Sequence, residues 1–149
     1  LSLARNRLPE APAFDSYVWS LRPGLLKNAP AYSWRVNMLA TADFADNARP
    51  GGDRYGIGAE VLGAWRLAPG VLVSGSGQVQ QIRNTQPYFP PLLNTYRHQL
   101  LWLGRLEVDV EVSRRVHWLT AWIGQKSEDN LSFLNYSTSV LQSGFMLKY

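Results

Sequence analysis

The chain has 149 residues, 46% of them hydrophobic and 12% aromatic, which is material for an ordered fold and excludes a disordered one. It contains no cysteine, so a disulfide framework and thiolate-bound metal are excluded, and its apolar runs fall far short of the roughly 18 to 20 residues of a membrane-crossing helix. The formal charge of +4 includes 12 arginines among 15 basic residues, so their placement decides between a nucleic-acid surface and an interior that pairs charges.

The periodicity is two almost throughout, which predicts strands with one apolar and one polar face. Residues 1–5 form a short first strand. Residues 15–26 carry Tyr17, Trp19 and Leu21 on one face but contain Pro23, which cannot donate to a ladder. Residues 31–40 set Tyr32, Trp34, Val36 and Met38 against Ser33, Arg35 and Asn37. In 55–67, Tyr55, Ile57, Ala59, Val61 and Trp65 oppose Gly56, Gly58, Glu60 and Arg66. In 71–82, Val71, Val73 and Val79 oppose Ser74, Ser76, Gln78 and Gln80. The longest segment, 96–112, places Leu100, Trp102, Leu106, Val108, Val110 and Val112 opposite Arg97, Gln99, Arg105, Glu107, Asp109 and Glu111. Residues 116–125 are apolar on both faces, and 136–149 form the last strand.

Seven connections join these eight strands, alternately long and tight. The tight ones are Lys27-Asn28-Ala29-Pro30, Ala68-Pro69-Gly70 and Ser113-Arg114-Arg115. The long ones cover 6–14, 44–53, 84–95 and 127–135. Short periplasmic turns alternating with longer extracellular loops are the pattern of an outer-membrane barrel. The expected fold is therefore all-β, an antiparallel transmembrane β-barrel that takes in all of 1–149, in the bacterial outer membrane with the C-terminus periplasmic. A membrane strand needs about 9 to 11 residues, so the short first strand reads as cut off and the chain as the C-terminal part of a larger barrel. A shortened eight-stranded barrel is the alternative.

The end of the chain supports this reading. Gln142, Gly144, Leu147 and Tyr149 occupy the places of the C-terminal signal by which the barrel assembly machinery recognises outer-membrane proteins, which this strand resembles. An amphipathic strand with a free edge can pair by β-augmentation, and an aromatic end anchors at the interface.

In such a barrel Arg35, Glu60, Arg66, Arg105, Glu107, Asp109 and Glu111 line the lumen, either as a polar channel wall or as a cross-strand ion-pair ladder that fills it. Aromatic residues towards strand ends, such as Tyr17, Trp34, Tyr55 and Trp118, fit an interfacial girdle better than a base-stacking surface, so no nucleic-acid partner is expected. Asp43, Asp46, Asn47 and Asp53 share one loop without a calcium-loop spacing and read as solvated. His98 and His117 sit in no Ser/His/acid pattern, and neither a catalytic residue nor a metal or other cofactor is expected.

Residues 96–149 also resemble the barrel end of two-part outer-membrane proteins in which periplasmic tetratricopeptide repeats precede a C-terminal barrel, of the surface lipoprotein assembly modifier type. Tyr96-Arg97-His98, the Arg-marked turn, the Ser/Asn loop at 127–130, and Tyr136 with Val140, Gly144 and a terminal aromatic carry that resemblance. It implies transport, secretion or surface export of a lipoprotein or a polymer such as a polysaccharide, with the barrel as conduit. A barrel enzyme acting on outer-membrane lipid and an adhesive barrel binding through its loops are the alternatives.

Overall fold

The computed structural model describes residues 2–6, 15–46, 49–88, 92 and 94–147. They form one antiparallel sheet of β1 (Ser2–Asn6), β2 (Ser16–Leu21), β3 (Gly24–Asn28), β4 (Tyr32–Ala45), β5 (Arg54–Ala68), β6 (Val71–Tyr88), β7 (Thr95–Ser113), β8 (Val116–Asp129) and β9 (Tyr136–Leu147). A short 3-10 turn at Ser132–Leu134 is the one helical element among the described residues.

Strand order follows chain order, and β2 and β3 both pair with β4. Leu21 faces Ala40 and Gly24 faces Asn37, so the register runs unbroken through Arg22 and Pro23. Pro23 has no N–H to give, yet its carbonyl still accepts the Met38 N–H at 2.9 Å. The two pieces are one strand with a missing donor, and the eight rungs expected from the alternation are present.

The tight connections keep their expected places. Pro69-Gly70 turns between β5 and β6 with Gly70 at φ 76°, the left-handed backbone that a Pro-Gly type II turn requires. The Gly70 carbonyl also accepts the Glu111 N–H of β7 at 2.7 Å, tying one turn to the next strand. Strands overrun their expected ends on the long-loop side: β4 reaches Ala45, β6 reaches Tyr88 and β8 reaches Asp129. Backbone pairing is indifferent to side-chain polarity, so ladders continue where both faces have turned polar. Beyond β5, for example, the carbonyls of Asp53 and Gly51 accept the N–H groups of Thr85 and Gln86.

The sheet is a single layer, because every substantial contact between strands is between hydrogen-bonded neighbours. Its burial runs opposite to that of a water-soluble sheet. On the apolar face Ile57 is 60%, Trp65 59% and Phe145 73% exposed. Every buried strand residue, including Ser16, Asn37, Leu39, Asp43, Gln80, Ala121 and Ser127, lies on the polar face. With no second layer, only side chains of the same face leaning together can bury them, as on the inner side of a curved sheet.

The apolar band also runs at a slant. The paired row Lys27, Trp34, Gly63, Gly75, Leu106, Trp122 and Leu141 crosses β3 to β9. On β3 the band ends at this row, whereas on β9 it begins there, after Ser137 and Ser139. The band thus slides by roughly eight to ten residues over six strand steps; at about 3.3 Å per residue and about 4.8 Å per strand, the strands incline by about 45° to it. The outer edges of β1 and β9 are unpaired among the described residues, so the sheet is open and not closed into a barrel.

Candidate functional site

The polar face gathers the chemistry. Register places Arg35, Glu60, Arg66, Arg105, Glu107, Asp109 and Glu111 all on it, because each is paired through the ladder with others of that face. One row runs Arg35, Leu62, Ser76, Arg105, which sets the two arginines three strands apart. Small side chains between them, Ser33, Ala64, Ser74 and Ser76, leave a cavity of about 490 Å³. The Glu60 carboxylate accepts the Asn37 amide at 2.7 Å, and Arg105 pairs with Glu107. These are local satisfactions between neighbouring side chains. The face is neither a continuous ion ladder nor stripped of charge.

A second cluster lies at the tight-turn end. His117 Nδ1 meets Asp109 Oδ1 at 2.7 Å, and His117 faces Glu111 across the strand pair. Arg66 and these three residues line a cavity of about 420 Å³ with Gly70 and Leu72. His98 stands on the opposite, apolar face beside Arg83, so the two histidines are separated by the sheet. No serine joins the His117–Asp109 pair, and no group of three metal-ligating side chains occurs among the described residues.

The long-loop end is tied down by ion pairs that sequence spacing did not reveal. Asp43 accepts Arg49 Nη1 on both oxygens, at 3.1 and 3.2 Å, and Arg54 Nε at 2.9 Å. Arg49, with a side chain 2% exposed, also donates to the Gly52 and Asp43 carbonyls. Asp46 pairs with Arg5 at 2.9 Å, and Asp53 accepts the Ala45 N–H. The solvated-loop reading of these acids is therefore corrected for Asp43 and Asp53, whereas Asp46 stays exposed in its ion pair; Asn47 lies outside the described residues. Further round the same end, Arg97 binds the fully buried Asp129 side chain at 2.6 Å. Asn130 makes hydrogen bonds to the backbone of Tyr96 and His98, clasping the last loop to β7.

On β9, Gln142 and Gly144 face Ala121 and Leu119 on the polar side, while Leu147 pairs with Val116 on the apolar side. Tyr149 lies outside the described residues. Two serines of the apolar side have partners that the alternation did not announce: Trp118 Nε1 donates to Ser143 and Trp122 Nε1 to Ser139, each at 2.8 Å. The readable signal was spacing, since tryptophans four apart on one strand meet serines four apart on an antiparallel neighbour.

Compared with family models, curated proteins and solved structures, the chain matches none of them.

Proposed function

We propose that this sheet is a wall of an outer-membrane β-barrel, with the apolar face against lipid and the polar face towards a water-accessible lumen. The slanted apolar band carries the reading. A membrane is a horizontal slab, and barrel strands cross it at about 35 to 45°, so a lipid-facing band must slide along the strands by about the amount found here. Inverted burial and the alternation of tight and long connections support the same reading.

The function that follows is passage across the outer membrane, in transport, secretion or surface export, with the lumen wall of Arg35, Glu60, Arg66, Arg105, Glu107, Asp109 and Glu111 contacting the cargo and no group doing covalent chemistry. The resemblance of the last third points to a lipoprotein or a polysaccharide as that cargo. Its other partners are outer-membrane lipid and, through Gln142, Gly144, Leu147 and Tyr149, the barrel assembly machinery. The C-terminus and the tight turns face the periplasm.

The test is a pair of arginines. Val61→Arg sits on the apolar face, where Val61 is half exposed, and against lipid it costs about 2 to 4 kcal/mol. Gln78→Arg sits on the polar face opposite Glu60 and changes stability by less than about 0.5 kcal/mol. Urea unfolding of vesicle-reconstituted protein, with boiled and unboiled gel migration as the check on folding, reads the difference. Equal, small effects at both positions, with protein recovered in the soluble fraction, would overturn the membrane reading.

A further inference from the structure

In the tight-turn half of the sheet the polar face sorts its charges by strand. Arg35 on β4 and Arg66 on β5 stand on one side, and neither side chain has a hydrogen-bond or ion-pair partner among the described residues. Glu107, Asp109 and Glu111 follow one another along β7 on the other side. Arg105 is bound to Glu107 and His117 to Asp109, so this side keeps an excess of carboxylate, with the Glu111 side chain uncommitted among the described residues. Glu60, the carboxylate of the first side, sits one row nearer the long loops and is taken up by Asn37. Between the two sides β6 contributes Leu72, Ser74 and Ser76, all uncharged. The two cavities of this face follow each other along β6, one lined by Arg35, Ser74 and Ser76, the other by Arg66, Leu72 and Glu111. Together they form a trough with guanidinium on one bank and carboxylate on the other.

We propose that this trough takes an extended stretch of polypeptide in which acidic and basic side chains alternate. The banks are two to three strands apart, about 10 to 14 Å, a span that a glutamate reaching one way and a lysine reaching the other can bridge. Along β7 the carboxylates recur at every second residue, about 6.6 Å, which is also the interval between same-side side chains of an extended peptide. Arg66 bonds through its N–H to Ala31, four residues before Arg35, so the two guanidiniums stand two such intervals apart. A peptide laid this way turns backbone N–H and C=O groups to the floor, where the Ser74 and Ser76 hydroxyls, without partners among the described residues, can donate or accept. A uniformly acidic chain, such as an acidic polysaccharide, meets repulsion from the β7 bank instead. The inference rests on the reading of this face as a lumen wall and goes beyond it by choosing a protein cargo of mixed charge over a polysaccharide.

The experiment compares three probes by fluorescence anisotropy at low ionic strength, on the full chain in phosphatidylcholine vesicles. Two are peptides of roughly eight residues, enough to overrun the trough, with lysine and glutamate in alternation or the same composition in two blocks; the third is an oligogalacturonate as the acidic saccharide. The alternating peptide is expected to bind about tenfold more tightly than either of the others. Carbodiimide coupling of the bound peptide, mapped by mass spectrometry, is expected to join its lysines to Glu107 and Glu111. Arg66→Gln and Glu111→Gln, both at exposed positions, each weaken the alternating peptide about threefold and hardly alter the block peptide. If a variant fails to fold, the comparison of probes on the unaltered protein decides. Equal affinity for the two peptides, tighter binding of the oligogalacturonate, or coupling confined to the loops and the apolar face overturns the mixed-charge cargo while the lumen reading stands. Protein that does not float with the vesicles in a density gradient overturns the lumen reading itself, and the cargo with it.

Discussion

Asp43→Ala removes the one carboxylate that two arginines share at the long-loop end. Arg49 loses both Nη1 contacts and Arg54 its 2.9 Å contact. The Arg49 guanidinium stays buried and keeps its bonds to the Gly52 and Asp43 carbonyls, so it loses its counter-charge without losing all its acceptors. Breaking a buried pair from one side costs about 3 to 5 kcal/mol, and the retained carbonyl bonds place this case near the lower end, at about 3 kcal/mol. Arg49→Met in the same background removes the stranded charge, and the double variant should recover about 2 kcal/mol through the coupling of the pair. Urea unfolding followed by tryptophan fluorescence gives the stabilities. Hydrogen exchange at the Ala45 and Gly52 amides, which bond to Asp53 and Arg49, reports on the loop itself. A loss below about 1 kcal/mol for Asp43→Ala, or a double variant as unstable as the sum of the singles, would refute the claim that this carboxylate organises the loop.

Two further substitutions probe the turn and the last strand. Gly70→Ala forces a Cβ into a left-handed turn and to 3.1 Å from Glu111 Cβ, and should cost about 1 to 2 kcal/mol, whereas Gly144→Ala, which meets nothing within 4 Å, should be neutral or slightly stabilising in the same unfolding assay. Trp122→Phe loses the bond to Ser139 and, with a shorter ring, part of the cover over Gly104 and Gly124. A fall of about 1 kcal/mol is expected, with Ser139→Ala in the Phe background adding little.

The fold was legible because a strand with one apolar face repeats its signal every second residue, and because turn chemistry such as Pro69-Gly70 is local. Register followed as well: once the turns are two or three residues long, pairing is fixed, and the seven charged residues fall on one face. What escaped reading was whatever depended on side chains meeting across irregular backbone. Asp43, Arg49 and Arg54 stand 6 and 11 residues apart at a strand end and in a loop, a spacing with no period, and only the loop path brings them together. Strands on that side run past the sequence expectation because side-chain polarity does not report backbone pairing: Asn130 and Asp53 carry pairing into polar segments through side-chain and backbone acceptors. The His117–Asp109 contact, by contrast, was within reach, since a tight turn at 114–115 leaves few ways for β7 and β8 to align.

The two indoles that donate to Ser139 and Ser143 also bear on how the sheet would meet bilayers of different thickness. A tryptophan on a lipid-facing surface is ordinarily held at the boundary by its need for a water or head-group acceptor. Trp118 and Trp122 have their acceptors on the neighbouring strand, so in the proposed membrane setting that flank would ride deeper or shallower without stranding a donor. Trp19 and Trp34, near the opposite flank, have no such partner among the described residues and keep the ordinary constraint. Hydrophobic mismatch would then be taken up unequally, with the β2–β4 side anchored and the β8–β9 side free to slip.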